Sequence, residues 1–365
     1  MPGGPAPTIN PGSALGVNFN GVLSNLALGD LIRAKTRWIR GFVDYFQFRN
    51  GLQHLHTDPG LQQLRLAHNA GYKTVINHKF DFSTMRFPTT QNDREALLNY
   101  VDTLLTVVYP DCDILVIGNE PFIESLRDDR GPELVAFYVA AAEKVRAFHA
   151  AQARQIPLYL GTYDSIWKPS WQIQAAIDLM AYTEATPWLQ GADLHIHQEA
   201  DTDIDGAFAF TSPRLRADQK ILVTEFSQVN YYLQFNDYPI PRELVLKYGR
   251  DASWKVYDYL NFALHHPVTI EEWTAFLENS PWFNNQIGYL PYAWYRFNAW
   301  EKFGIAAYAM YQSGPTTFTA GDQPWILNPI FVNQTVVPDV AGDYQYNYVY
   351  GEQFRALQVG TVPIP

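Results

Sequence analysis

Two glutamates follow short apolar runs, and their type and placement are those of a reactive carboxyl pair. The segment DILVIGNEPF carries one apolar run to Asn119 and Glu120, and KILVTEF carries a second to Glu225. In such a pair, one carboxyl group can donate a proton while the other acts as a nucleophile. This chemistry requires a fold that brings both glutamates to one place.

Eight short apolar segments, several rich in β-branched residues, alternate with segments of helical periodicity, which predicts strand–helix units. The predicted strands are 14–20, 37–43, 72–80, 113–118, 156–162, 192–197, 220–226 and 304–312. The predicted helices are about 24–35, 58–70, 91–108, 131–152, 171–184 and 343–357.

Eight alternating units in 365 residues predict an α/β protein, a (β/α)₈ TIM barrel. A doubly wound open sheet is the competing fold, but no Gly-rich phosphate loop follows a predicted strand. We expect one catalytic domain over 14–358, a flexible arm over 1–13 and a tail over 359–365. Between the seventh and eighth strands lies a long aromatic-rich insertion, about 227–303.

The carboxyl ends of the strands carry the reactive residues of such a barrel. Strand alternation puts Glu120 on the face of Val116, and Glu225 on the face of Ile221 and Val223. The two glutamates are therefore expected to converge over the barrel mouth. Paired carboxyl groups of this kind are what retaining glycoside hydrolysis requires.

The motifs IGNEP and LVTEF resemble the acid/base and nucleophile motifs of clan A glycoside hydrolases, a large barrel superfamily with glutamates on strands four and seven. The resemblance covers about 14–312. It implies that Glu120 is the acid/base, that Glu225 is the nucleophile, and that Asn119 binds the sugar 2-hydroxyl. It also implies a β-linked oligo- or polysaccharide substrate and no metal or other cofactor.

Three flanking residues are expected to support this chemistry. Arg40, at the end of the second strand, would hold the nucleophile ionised by its charge. His78, at the third strand end, would bind a substrate hydroxyl or brace a carboxylate. His197 would hydrogen-bond Glu225, while His195 is interpreted as a deeper core residue.

The eighth strand departs from the clan A pattern, which places a tryptophan at its tip. Here the strand end offers Tyr311 and Gln312 instead. We expect Tyr311 to contact substrate, and at least one of Trp282, Trp294 and Trp300 from the insertion to line the cleft and stack on a sugar ring.

Two other functions remain open. A metal-dependent hydrolase of the amidohydrolase type could use the pairs His54/His56 and His195/His197. That class places its histidine pair on the first strand, where this chain has none. A non-catalytic carbohydrate-binding barrel is the second alternative, although such proteins usually lose one of the two acids.

The composition restricts partners further. With 26 basic and 37 acidic residues, the formal charge of −11 disfavours a nucleic-acid partner. The apolar stretches are too short to span a bilayer, so no membrane partner is expected. The single cysteine, Cys112, excludes an intrachain disulfide. A cytoplasmic location is expected for the chain as written, and secretion if a signal peptide has been removed. The oligomeric state, sugar and linkage are not predicted.

Overall fold

A computed structural model describes residues 14–19, 23–49 and 52–360 of the chain. Its eight main strands are all parallel and close into a barrel in sequence order, which confirms the predicted (β/α)₈ architecture. The strands are β1 Leu15–Phe19, β2 Trp38–Asp44, β3 Lys73–Lys79, β4 Ile114–Ile117, β5 Leu158–Asp164, β6 Leu189–His197, β7 Lys220–Ser227 and β8 Phe303–Tyr311. A small antiparallel sheet pairs β9 Phe331–Val332 with β10 Gln345–Tyr346.

Helices surround the barrel and fill the longer connections. The α-helices are α1 Leu28–Ala34, α2 Tyr45–Arg49, α3 Pro59–Asn69, α4 Gln91–Leu97, α5 Val101–Val108, α6 Pro132–Ala150, α7 Gln174–Ala185, α8 Asp203–Thr211, α9 Val229–Leu233, α10 Arg242–Tyr248, α11 Val256–His265, α12 Ile270–Glu278, α13 Pro281–Asn284, α14 Tyr289–Asn298 and α15 Tyr348–Val359. Short 3₁₀ helices cover Leu23–Asn25, Leu52–Thr57, Tyr109–Asp111, Arg127–Asp129, Pro169–Trp171, Ser212–Arg214 and Trp325–Leu327.

The helix predicted over 91–108 is two helices, α4 and α5. The chain turns at Leu98, and the backbone N–H of Tyr100 donates to the Tyr45 hydroxyl at 2.9 Å instead of continuing the helical ladder. This contact ties the third βα unit to the segment after β2.

Two hydrophobic cores follow from strand alternation. The larger core lies between the barrel and its helices and includes Ile76, Ile117 and Ile196. The smaller core consists of Ala14, just before β1, and of inward-facing strand residues: Val75, Ile114, Val116, Tyr159, Leu222 and Ile305. Towards the carboxyl ends of the strands, the inward positions become polar. The smaller core therefore lies beneath a layer of hydrogen-bonding side chains.

The connection between β7 and β8 contains six helices, α9 to α14. At the far end of the chain, α15 continues to Val359, one residue into the predicted tail. The predicted arm 1–13 and residues 361–365 of the tail lie outside the described residues. No helix in the described part of the chain is both long enough and apolar enough to cross a membrane.

Candidate active site

A cavity of about 350 Å³ opens at the carboxyl end of the barrel, where the predicted carboxyl pair lies. This volume lies in the range of small-molecule sites. Its walls come from strand tips and from the loops that follow them. The lining residues are Phe42, Lys79, Asn119, Glu120, Ile123, Glu124, Asp164, Ser165, Lys168, Trp171, His197, Glu225, Asn230, Gln323 and Trp325.

The turn after β4 directs Asn119 and Glu120 into this cavity. It begins at Gly118, with φ of +109°, where an added Cβ would lie 2.0 Å from the carbonyl oxygen of Gly161. Glu120 itself has φ of +42°. Non-glycine residues in this region are strained and persist where surrounding contacts hold them. Here the backbone N–H groups of Ile123 and Glu124 both donate to the Glu120 carbonyl at 2.8 Å.

The side chain of Glu225 points into the cavity, although strict inward–outward alternation of side chains along β7 does not predict this direction. Leu222 belongs to the inner core, whereas Ile221 and Val223 belong to the outer one. The prediction that Glu225 shares a face with Ile221 and Val223 is therefore wrong. The pairing of β7 with β8 shifts register between Val223 and Phe226, and such an irregularity redirects side chains. As a result, Thr224 and Glu225 both point towards the barrel axis.

Arg40 lies under the cavity and is fully buried. Its Nε donates to Asn77 Oδ1 at 2.9 Å, and Nη1 donates to Asn18 Oδ1 at 2.9 Å. The same Nη1 donates to Glu225 Oε1, and Nη2 donates to Asn119 Oδ1. One guanidinium group, a forked donor, thus joins the motif IGNEP, in the turn after β4, to the motif LVTEF of β7.

His195 is hydrogen-bonded to Glu120, through Nδ1 and Oε1 at 2.7 Å. On the other side of the ring, Nε2 lies 3.1 Å from Thr224 Oγ1, and the Thr224 hydroxyl donates to Asp193 Oδ2 at 2.6 Å. With its hydrogen directed to Asp193, Thr224 can accept from His195 Nε2, whereas Arg40 Nη2, 3.3 Å from the same nitrogen, can only donate to it. Interpreting His195 as a core residue missed this contact.

The charges of this cluster shift its pKa values. Burial opposes ionisation of Glu120, but the hydrogen bond and charge of His195, with His197 and Arg40, outweigh burial and lower its pKa to about 2. Burial also opposes protonation of His195, yet the charge of Glu225 and the bond to Glu120 raise its pKa. We therefore describe Glu120 as a carboxylate that accepts a hydrogen bond from His195 Nδ1. Burial lowers the pKa of His197 to about 4.

His197 lines the cavity between the two glutamates. Its Nε2 lies 4.0 Å from Glu120 Oε1 and 3.9 Å from Glu225 Oε2. These distances exceed those of direct hydrogen bonds. Its Nδ1 lies 2.8 Å from Ser227 Oγ, which fixes the ring plane. The expected hydrogen bond from His197 to Glu225 is thus not formed in this state.

Two further acids line the cavity, and neither was among the predicted site residues. Burial, the largest cause, raises the pKa of Glu124 to about 7. It also raises the pKa of Asp164 to about 7. The charge of Glu120 raises both further. Glu124 pairs with Lys79, whose Nζ lies 2.7 Å from its Oε1. Lys79 follows the inward residues Val75 and Asn77 along β3, so alternation could have identified it.

His78 does not lie at the cavity, contrary to its expected role in binding substrate. Because Asn77 and Lys79 face inward on β3, His78 faces the surrounding helices. Its ring stacks on Phe80 at 4.5 Å and meets Tyr45 edge-on, and neither ring nitrogen has a hydrogen-bond partner among the described residues. Burial lowers its pKa to about 3.

The four aromatic residues expected in the cleft are also placed elsewhere. Trp282 stacks on Phe235 within the helices of the insertion, at a centroid distance of 5.5 Å. Trp294 contacts Phe303. Trp300 donates from Nε1 to Asp205 at 3.1 Å.

Phe303 begins β8, so α14 returns the chain to the amino end of the barrel, away from the cavity. This return explains why Trp294 and Trp300 are remote from the two glutamates. Tyr311 donates its hydroxyl to Asp30 and is buried against Phe19. None of the four expected aromatic residues is among those that line the cavity.

Other aromatic side chains line the cavity instead. Trp325 lies in the loop after β8 and meets the His197 ring edge-on at a centroid distance of 4.9 Å. Trp171 comes from the connection after β5, and Phe42 lies within β2. Sequence reasoning missed them because it searched the insertion and the strand tip. The sequence QPWILNP, with its turn-forming prolines, was the available signal for Trp325.

Four side chains at the cavity offer ligand atoms within 4.8 Å of one another: Glu120, His195, His197 and Glu225. Such a set could hold a divalent cation. However, the Arg40 guanidinium donates to Glu225 and lies 3.3 Å from His195 Nε2, so a bound cation would face a fixed positive charge. Of the other histidine pair, His56 is exposed in a 3₁₀ helix after β2, and the His54 side chain is outside the described part of the structure.

No protein-family model matches the chain, and no curated protein matches it. Among solved structures, it is similar to a family 39 glycoside hydrolase from the gut symbiont Bacteroides cellulosilyticus WH2, with 12% identity and a TM-score of 0.50. That match covers 97% of this chain but 65% of the other. The endo-beta1,6-glucanase BT3312 matches with 14% identity and a TM-score of 0.52, over 99% of this chain and 78% of the other. At these identities, the similarity concerns the barrel fold.

Proposed function

We propose that this protein is a retaining glycoside hydrolase of clan A, with Glu225 as nucleophile and Glu120 as acid/base. The proposal is supported most directly by one carboxylate oxygen of Glu120 and one of Glu225, which lie within 4.8 Å of each other. Retaining enzymes hold their carboxyl groups about 5–5.5 Å apart, whereas inverting enzymes need about 6.5–9.5 Å to admit a water. The two glycoside-cleaving proteins that share the fold, named above as a family 39 hydrolase and a glucanase, are in keeping with it.

Glu225 has the surroundings of a nucleophile. Its Oε1 accepts from Arg40, which supplies a positive partner and fixes the carboxylate plane. Its Oε2 lies on the side of His197 and can attack a sugar carbon bound in the cavity. As the glycosyl–Glu225 ester forms, the carboxylate loses its negative charge, and Arg40 remains paired with Asn119.

Glu120 has a carboxylate-favouring environment, so its proton has to come from a neighbour. We propose that His195 is an imidazolium and place that proton on its Nδ1, 2.7 Å from Glu120 Oε1. In the first step it passes through the Glu120 carboxyl group to the leaving oxygen, while the glycosidic bond breaks and Glu225 bonds to the sugar. In the second step, Glu120 accepts a proton from the attacking water and shares it again with His195, which restores the resting state.

The remaining cavity residues would bind the sugar. Asn119 donates one Nδ2 hydrogen to Glu124 and has a second available for the sugar 2-hydroxyl. Trp325 and Trp171 provide apolar faces on which sugar rings can stack, in place of the expected tryptophan of β8. Several aromatic walls in an open cavity are suited to an oligo- or polysaccharide, which we take as the substrate class, with β-linked sugars.

The test is a hydrolysis screen against β-glucans, mannans, xylans and aryl glycosides, followed by two substitutions. Glu225→Ala should nearly abolish turnover of whichever substrate is cleaved. Glu120→Ala should lose most activity on substrates with poor leaving groups and keep part of it on activated aryl glycosides, which need little protonation. Proton NMR should show the retained anomer as the first product. An inverted first product, or equal losses on both substrate types, would contradict the assigned roles.

A further inference from the structure

A third carboxyl group enters the cavity one turn after the proposed acid/base. The Glu124 backbone N–H donates to the Glu120 carbonyl at 2.8 Å, so the chain folds back and returns its side chain to the cavity wall. The Glu124 carbonyl accepts from Phe82 N–H at 2.8 Å, which anchors this turn to the loop after β3. The position of Glu124 is thereby fixed from both sides.

The two oxygens of Glu124 have different surroundings. Oε1 accepts from Lys79 Nζ at 2.7 Å and from Asn119 Nδ2 at 2.9 Å. Oε2 is buried, yet it has no hydrogen-bond partner among the described residues. Buried polar atoms without a partner are rare in folded proteins. Because this residue lines the cavity, a group that enters the cavity can supply the missing donor.

Lys79 completes a paired donor and acceptor at the same wall. It occupies the last position of β3 with its side chain 17% exposed, and its Nζ lies 5.4 Å from the centre of the Phe42 ring. An ammonium group has three hydrogens, and Glu124 takes one of them. Lys79 can therefore donate beside the unpaired oxygen of Glu124.

We infer that Lys79 and Glu124, here called the Lys79–Glu124 pair, bind neighbouring hydroxyl groups of the substrate. Glu124 Oε2 accepts from one hydroxyl while Lys79 Nζ donates to the next. The ligand is thus a neutral sugar with vicinal hydroxyls. This inference rests on the proposed function, since the pair shares the cavity with Glu120 and Glu225. Both residues were absent from the predicted site.

Glu124 also orients Asn119. Asn119 Oδ1 accepts from Arg40, and its Nδ2 donates to Glu124, so the two ends of the amide cannot be exchanged without losing both bonds. Glu124 therefore acts twice, directly on a sugar hydroxyl and as a positioning residue for Asn119.

The experiment compares Glu124→Gln and Lys79→Met with two matched controls on helix α6. Glu143→Gln removes a carboxylate that accepts from Tyr182 at 2.6 Å, and Lys144→Met removes an ammonium paired with Asp102 at 2.7 Å. All four variants are assayed on the substrate that the wild type cleaves best.

Glu124→Gln and Lys79→Met should each lower kcat/KM by about 10- to 100-fold, mainly through KM, as expected for a lost charged hydrogen bond. The controls should stay within about twofold of wild type. Circular dichroism and the urea midpoint establish that each variant is folded.

A pH profile separates substrate binding from a purely structural role. The pKa of Glu124, near 7, makes it a better acceptor as pH rises through 7, so wild-type kcat/KM should rise there. The titratable groups that face Glu124 are Lys79 from β3, Glu120 from the turn after β4 and Tyr138 from α6. Asp164 has a pKa in the same range, so Asp164→Asn is measured as well.

The rise should disappear in Glu124→Gln and persist in Asp164→Asn. If the wild type cleaves glycosides while Glu124→Gln and Lys79→Met behave like their controls, the inference is overturned and the proposed function stands. If the wild type cleaves none, both are overturned.

Discussion

Replacement of Arg40 by methionine tests whether one buried guanidinium organises the site. The substitution keeps an unbranched apolar stem and removes the charge and all five donors. The side chains left without it come from the ends of five different strands: Asn18, Asn77, Asn119, His195 and Glu225. Arg40 is fully buried, so water does not replace these contacts unless the barrel opens.

The size of the effect follows from this burial. Removing one partner of a buried ion pair costs about 3–5 kcal/mol, because the other charge stays buried without a partner. The free energy of unfolding of a domain is about 5–15 kcal/mol, so Arg40→Met should remove a large part of the stability. Arg65→Met is the control, since Arg65 is 41% exposed and pairs with Asp111 at 3.0 Å. Exposed pairs of this kind contribute up to about 1 kcal/mol.

The assay is urea unfolding at pH 7, followed by tryptophan fluorescence and by far-UV circular dichroism. Adding Glu225→Gln to Arg40→Met should cost less than Glu225→Gln alone, because the double variant buries no unpaired charge. The non-additivity should be about 1–3 kcal/mol. A loss below about 1 kcal/mol for Arg40→Met, or strictly additive effects, would refute the interpretation of Arg40 as the charged centre of this network.

Three other outcomes are expected. His78 has a pKa of about 3 in the folded chain, so only the unfolded chain takes up its proton between about pH 6.5 and 3, and stability falls over that range. His78→Phe should weaken that fall, measured as urea midpoints at pH 7 and 4; an unchanged difference would contradict the assignment. Trp325→Ala should weaken substrate binding by about 1–3 kcal/mol, by analogy with stacking on bases, with circular dichroism unchanged; an unaltered KM would exclude a stacking role. Dialysis against EDTA should leave kcat/KM unchanged; a loss restored by zinc would favour the metal-dependent hydrolase.

The barrel was predictable because each of its strands is an apolar run between polar turns. All eight predicted strands are present, with ends that differ by a few residues. The convergence of Glu120 and Glu225 also followed from a general property, that parallel strands of a barrel end at one face. The placement of the two glutamates at the ends of the fourth and seventh strands was sufficient for this prediction. The prediction that Glu225 shares a face with Ile221 and Val223 was wrong.

Two kinds of residue could not be predicted in the same way: those on loops, and those in strands whose inward or outward direction depends on the exact phase of the alternation. Trp325 lies 14 residues beyond the end of β8, and nothing in its local sequence fixes the direction in which that loop returns. His78 and Lys79 are adjacent, and a one-residue error in strand phase exchanges inward and outward positions. Taking the neighbouring Asn77 as an inward residue would have given the correct alternation for β3. Asparagine is more typical of turns than of strands, so it was not used in this way.

The layer beneath the site explains why such polar residues occur inside strands. The Asp193 carboxyl accepts hydrogen bonds from Asn77 Nδ2 at 3.0 Å, from Thr162 Oγ1 at 2.8 Å, and from Thr224 N–H and Oγ1 at 3.1 and 2.6 Å. A buried carboxyl group is tolerated when its acceptor positions are filled in this way. Asn77 then presents its oxygen to Arg40, and Thr224 presents its oxygen to His195. The hydrogen bonds of both motif glutamates therefore depend on Asp193, a residue that belongs to neither motif.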